Sequence, residues 1–261
     1  MTCLAEWVQR RIIAFLPWAV LATFASPLTA QPLQVLSAGA FKPVVVDLAS
    51  AFEARQKASL RIDNGTAGEI LRRMRAGESW DVVIAPPGTL NTLAAEGLVD
   101  RDSIRPIARV AIGVAVRRGS PKPAISTVEE FKDTVLGARN PAFIDPKAGG
   151  SSGIYLDGLF QRMGIADQIR SRAVLVPGGL VAERLVSGEA DLAIHQISEI
   201  LPVAGAELVG PLPASIQNYT VYAAAIVRTT NNQVAGRALT ELLKGPEAAR
   251  VISLKGMERV D

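Results

Sequence analysis

The chain is poor in the side chains that make most enzyme centres recognisable. It has one cysteine and one histidine in 261 residues. A disulfide within the chain is therefore excluded, and so is a zinc site built from Cys and His. The expectation is no metal and no cofactor. Aromatic residues make up only 5%, which leaves few platforms for stacking nucleic-acid bases. Neither charge dominates. The net charge is +3, and Lys and Arg are scattered rather than gathered into a basic run, so no nucleic-acid partner is expected. Neither G-x-G-x-x-G nor G-x-x-x-x-G-K occurs, so no nucleotide fingerprint is present. Glu53 and the Glu129-Glu130 pair fall on helix faces and read as solvated.

Long apolar runs are also missing, apart from one near the start. Arg10 and Arg11 precede an apolar stretch over residues 12–24, which Pro17 interrupts. The stretch fades into Ser26-Pro27-Leu28-Thr29-Ala30. Small residues there suit a signal peptidase, so residues 1–30 read as a signal peptide and Gln31 as the start of the mature chain. A membrane anchor is the rival reading, but it needs about 20 apolar residues. The arginine pair leaves both the general and the twin-arginine export routes open. Cys3 lies in the removed segment, ahead of the apolar run, so a lipid-bearing cysteine is not expected. The expected location is the periplasm.

From Leu33 onward, short β-type runs alternate with amphipathic stretches. Strands are expected at residues 33–36, 59–63, 81–85, 143–145, 173–176 and 192–195. Helices are expected at 42–56, from Thr66 onward, and at 89–96, 127–135, 152–163, 180–186, 232–243 and 246–254. Thr66 and Glu69 have the spacing of a capping box. Pro86-Pro87 ends one strand, and Gly97 stops a helix. This alternation predicts an α/β fold with parallel strands. Two longer β stretches, residues 107–116 and 219–227, stand apart from it. They suit crossings between two lobes: residues 31–108 with 222–261 in one, and 109–221 in the other.

Four strand-to-helix turns share one character: Ser37-Ala38-Gly39-Ala40, Asn64-Gly65-Thr66-Ala67, Gly149-Gly150-Ser151-Ser152-Gly153 and Pro177-Gly178-Gly179-Leu180. Each is small, contains glycine and opens a helix. Exposed N–H groups at a helix start attract anions, and ligands of open α/β sheets settle at the carboxyl ends of strands. The binding candidates are Gly39, Ala40, Lys42, Thr66, Ala67, Ser151, Ser152, Gly178, Gly179 and Gln196. Read singly, each turn is equally a tight turn or cap.

Several strings carry a family resemblance. They are Val35-Leu36-Ser37-Ala38-Gly39-Ala40, Gly65-Thr66-Ala67-Gly68, Trp80-Asp81-Val82-Val83-Ile84, Asp145-Pro146 with Ser152-Gly153-Ile154-Tyr155, Gly188-Glu189-Ala190-Asp191, and Leu243-Lys244-Gly245-Pro246-Glu247-Ala248-Ala249. Together the chain resembles the periplasmic molybdate-binding proteins of ABC transporters. The resemblance implies a two-lobed periplasmic-binding-protein-like fold of type II, with two mixed sheets flanked by helices and two crossover segments. It further implies a monomer that closes on a small anionic ligand and presents it to an inner-membrane ABC permease.

The ligand positions depart from the molybdate pattern. Ala40 stands where a serine is usual, Ser152 where a small apolar residue is usual, and Gln196 in place of a tyrosine. These changes argue against molybdate and leave other oxyanions and organic di- or tricarboxylates open. Lys42 and Lys147, beside two of the turns, would suit carboxylates. The same scaffold also carries an enzyme, aconitate isomerase, which shifts a double bond by moving a proton next to a carboxylate. For that reading His195, the only histidine, is the expected base. Glu199 and Tyr155 are weaker candidates. Ser151 and Ser152 have no evident base partner.

Overall fold

The computed structural model describes residues 31–260. The export segment and Cys3 lie outside the described residues. In chain order the first part holds β1 (Leu33–Ala38), α1 (Lys42–Gln56), β2 (Leu60–Gly65), α2 (Ala67–Arg75), β3 (Val82–Ala85) and α3 (Pro87–Ala95). β4 (Arg105–Arg117) leads to α4 (Val128–Gly137), β5 (Pro141–Ile144), α5 (Ser151–Arg162), α6 (Ala166–Arg170) and β6 (Val174–Val176). Next come α7 (Glu183–Ser187), β7 (Leu192–Gln196), α8 (Ile197–Ile200) and β8 (Ala206–Pro211). The chain closes with β9 (Tyr219–Ile226), α9 (Gln233–Lys244), α10 (Pro246–Leu254) and β10 (Met257–Arg259).

Local chemistry explains most of these boundaries. α1 starts with Pro43 in its first turn, where the missing N–H leaves no intrahelical bond unmade. It buries Val44, Val45, Leu48 and Phe52 along one face. Thr127 and Glu130 close a reciprocal capping box at the start of α4. The box expected at Thr66 is half formed: the Thr66 hydroxyl accepts from the Glu69 N–H at 3.1 Å. The Glu69 carboxylate instead lies against Gly65.

The strands form two sheets that share β4. One runs β2-β1-β3-β9-β4 with β10 added on β4; the other runs β4-β7-β5-β6 with β8 added on β4. β1 pairs in parallel with β2 and β3, and β5 with β6 and β7. β9 pairs antiparallel with β3 and β4, and β7 and β8 pair antiparallel with β4. The two mixed sheets that the resemblance implies are thus present, where the alternation of segments alone predicts parallel strands. Alternating β and α segments dictate parallel neighbours only where a helix connects adjacent strands, and β4 and β9 arrive from far along the chain.

β4 is the shared element. Residues 105–111 pair with β9, and residues 112–115 pair with β7. At the handover the Gln217 side chain grips the main chain of Ile112, accepting from its N–H at 3.0 Å and donating to its carbonyl at 2.9 Å. The chain returns between β8 and β9, on either side of that grip.

The buried apolar residues follow the same division. One cluster draws on Leu33 through Val110 and on Tyr222 through Met257, with Phe41, Phe52 and Leu90 fully buried. Two further clusters lie between Ile112 and Leu212. Phe143 and Phe160 meet edge to face there, with ring centroids 5.5 Å apart. The molecule is thus two-lobed. Besides β4, the lobes touch where the Gly68 N–H donates to the Gly149 carbonyl at 3.2 Å. The Thr66 hydroxyl also donates to the Ala148 carbonyl, at 2.7 Å.

Candidate functional site

A cavity of about 190 Å³ opens at the carboxyl ends of the strands of both lobes. The turn after β1 contributes Ala38, Gly39 and Ala40; the end of β2 and start of α2 contribute Asn64 to Ala67 and Glu69. Across the cleft stand Gly150, Ser151 and Ser152 at the start of α5, and Gly178 and Gly179 after β6. His195 and Gln196 end β7, Glu199 follows in α8, and Tyr222 enters from β9. The space holds several water-sized groups, more than a single five-atom oxyanion fills.

Of the residues expected from sequence, Gly39, Ala40, Thr66, Ala67, Ser151, Ser152, Gly178, Gly179, His195 and Gln196 are brought together here. Lys42 is not in the wall. Its ammonium donates to Asn64 Oδ1 at 2.8 Å, so its charge stands behind a lining side chain. Lys147 is exposed and also outside the wall. Tyr155 turns away and donates to the Ile216 carbonyl at 2.7 Å. The fourth turn does not open a helix at Leu180; α7 begins only at Glu183. Thr66 lines the cavity, but its hydroxyl is committed to Ala148 and Glu69, so it caps and bridges.

The strongest polar feature is a chain of buried groups. The Tyr222 hydroxyl donates to Gln196 Oε1 at 2.9 Å, and Gln196 Nε2 donates to Ser151 Oγ at 3.1 Å. Thr220 Oγ1 lies 3.4 Å from the same Ser151 oxygen. Since Ser151 Oγ accepts from Gln196, its own proton is left for Thr220 or for a guest in the cavity. The string from Gly149 to Gly153 does have the G-x-S-x-G spacing of a hydrolase nucleophile. Its serine bonds to an amide rather than to a histidine, so no activated nucleophile results.

The second feature is a pair. His195 Nε2 lies 3.1 Å from Glu199 Oε2, with both side chains buried. Desolvation holds the imidazole down to about 3 and pushes the carboxyl up to about 8. At neutral pH the imidazole is uncharged and the carboxyl carries a proton, so this is a neutral hydrogen bond rather than an ion pair. His195 Nδ1 is buried and has no hydrogen-bond partner. Burial and the nearby Glu199 also push the Tyr222 phenol above its usual range.

Sequence reasoning ranked Glu199 low and missed Tyr222. Glu199 sits four residues beyond His195, but that spacing crosses a strand end and a helix start, so no periodicity predicts a contact. Tyr222 arrives from the other lobe's cluster, on a strand that reads as plain core.

A family model described as bacterial extracellular solute-binding protein matches residues 33–258. An aconitate isomerase from Pseudomonas sp. is 34% identical over 242 residues, covering 89% of this chain and 91% of that protein. The periplasmic molybdate-binding protein of Azotobacter vinelandii superposes with a TM-score of 0.72 at 21% identity, covering 88% of this chain and 100% of that one. The sulfate-binding protein of Mycobacterium tuberculosis gives 0.71 at 19% identity, covering 89% and 88%. The site therefore lies in the interlobe cleft of a solute-binding fold. This chain belongs to the bacterial extracellular solute-binding protein family.

Proposed function

We propose that the cleft captures an organic acid with two or three carboxylates, from the periplasm, for an inner-membrane ABC permease. The observation that carries this reading is the cavity of about 190 Å³, whose wall sets the polar groups of Asn64, Ser151 and Gln196 and the start of α5 beside the carboxyls of Glu69 and Glu199. The first turn of α5 leaves its N–H groups without intrahelical acceptors, and the Ser151 hydroxyl has a proton to give. Lys42 supplies positive charge behind Asn64. Glu199, protonated near neutral pH, adds a donor rather than a second negative charge. Molybdate or sulfate would leave much of this space unfilled. The export segment supports the periplasmic location, and the chain acts as a monomer in this reading.

Isothermal titration calorimetry with cis-aconitate, trans-aconitate, citrate, molybdate and sulfate tests the proposal. Micromolar binding of at least one carboxylic acid is expected. Binding of molybdate or sulfate alone would overturn it.

A second reading is favoured by the His195–Glu199 pair, which a pure binding site does not need. On this reading the protein interconverts cis- and trans-aconitate, the activity named for its 34%-identical relative. Ultraviolet absorbance of each isomer mixed with protein follows the reaction directly. No interconversion at micromolar protein rules it out.

A further inference from the structure

We propose that Glu199 is the group that carries the proton in an allylic shift within a bound unsaturated polycarboxylate, with His195 as its positioning residue. The inference rests on the isomerase reading above and assigns the proton to a different side chain from the one its residue type suggests.

The geometry separates the two oxygens of Glu199. Oε2 is tied to His195 Nε2 at 3.1 Å. Oε1 takes no hydrogen bond among the described residues and lies at the Gly39 turn, in the cavity wall. A first side-chain carbon at residue 39 would stand 2.8 Å from it. The absence of a side chain at Gly39 is thus what leaves room for this oxygen. Asn64 Nδ2 lies 3.7 Å from the same point, so Gly39 also leaves room in this part of the wall for a donor suited to a ligand carboxylate. Among the described residues no Lys or Arg pairs with Glu199, whereas carboxylates such as Glu247, Glu96, Asp157 and Asp47 meet cations at more exposed positions. A buried carboxyl held without a cation destabilises the fold, and a glutamine would make the same contact without that penalty. What a glutamine cannot do is release and retake a proton. His195 is the poorer base here, because burial opposes its charged form and its Nε2 is occupied by Glu199.

The step balances without a co-reactant. The ionised fraction of Glu199, which grows as pH approaches about 8, takes a proton from the carbon next to one ligand carboxylate. The released electron pair spreads over the three-carbon allylic unit and its carboxylates, which the cavity donors stabilise. The carboxyl then returns the proton to the far allylic carbon, and the double bond comes to rest between the other two. One C–H bond breaks, one forms, and nothing is oxidised or reduced. A group that both takes and returns a proton works best when poised near the working pH.

The test is exchange in the allylic unit of trans-aconitate in D2O, read by proton NMR as conversion to the cis isomer and as deuterium uptake, with calorimetry of trans-aconitate in parallel. Wild type is expected to bind and to exchange. Glu199→Gln is expected to bind within fivefold of wild type and to exchange at least about 100-fold more slowly. Gly39→Ala, which crowds the oxygen without altering Glu199, is expected to slow exchange at least tenfold. His195→Ala is expected to lower kcat with KM within threefold, and His195→Gln, which restores a hydrogen-bonding partner, to recover at least tenfold of that loss. Exchange by Glu199→Gln within tenfold of wild type overturns the assignment. So does a Glu199→Gln protein that no longer binds, since the residue then serves binding. Wild type that binds trans-aconitate but neither converts it to the cis isomer nor takes up deuterium overturns this inference and leaves the capture reading intact; absence of trans-aconitate binding overturns this inference and leaves the capture reading to the titrations with citrate and cis-aconitate.

Discussion

Gly149 lies directly on the main chain of Gly68: a side chain on Gly149 would place its first carbon 2.8 Å from Gly68 Cα. The two residues belong to opposite lobes, and the Gly68 N–H donates to the Gly149 carbonyl at 3.2 Å. Gly149 also has φ +76°, a backbone conformation that side chains disfavour. Lobe contact at this edge therefore requires glycine twice over.

Gly149→Ala should hold the lobes apart here. A strained non-glycine residue costs about 1–3 kcal/mol. Since the contact belongs to the approach of the lobes rather than to either core, the loss should fall mainly on ligand affinity. A tenfold or greater rise in Kd by calorimetry is expected, with an unchanged circular dichroism spectrum. Unaltered affinity would show that this contact does not support the bound form.

The Tyr222–Gln196–Ser151 chain predicts a linked loss. Tyr222→Phe leaves the buried Gln196 Oε1 without its donor, which costs about 1–3 kcal/mol. The amide is then free to turn over, and Ser151 loses the donor that keeps its own proton available. Both a lower melting temperature and weaker ligand binding are expected. A fall in melting temperature with unchanged Kd would separate Tyr222 from the orientation of Ser151.

The His195–Glu199 pair predicts a stability profile of defined shape. Glu199 ordinarily titrates near 4.5 and is raised to about 8 in the fold. The native state holds its proton across that window, so this group's contribution falls as pH rises from 4.5 towards about 8. His195 ordinarily titrates near 6.5 and is lowered to about 3. The unfolded state binds the extra proton there, so its contribution falls as pH drops below 6.5. Between 4.5 and 6.5 the two trends cancel, giving a plateau with losses on both sides. Glu69, Tyr222 and, behind Asn64, Lys42 also face the cavity. Comparing melting temperatures of wild type and Glu199→Gln across this range isolates the Glu199 share. The decline above pH 6.5 should disappear in the variant, and its persistence would show that Glu199 is not the source.

Much of the lobe architecture is legible in the residues. α1 spans Lys42–Gln56, the expected 42–56, because Pro43 and the spacing of Val44, Leu48 and Phe52 mark its start and its inner face. α10 spans Pro246–Leu254, the expected 246–254, because a proline opens it. β8 and β10 are not legible: β10 has only three residues, and both take their partner from β4, far away in the chain. The helix expected at Leu180 starts three residues late because two glycines there favour a bend over a helical turn.

The site divides along the same line. The amino-acid sequence by itself determined that the chain has one histidine and four glycine-containing turns at strand ends. Those features are local, since they depend on residues within one turn or one run of each other. Only the tertiary structure decided that Lys42 stands behind Asn64 rather than in the cleft, that the Thr66 hydroxyl is spent on Ala148, and that Glu199 is buried against His195. Those outcomes depend on burial and on partners dozens of residues away. Desolvation, which sets the protonation of the pair, has no counterpart in a linear string of residues.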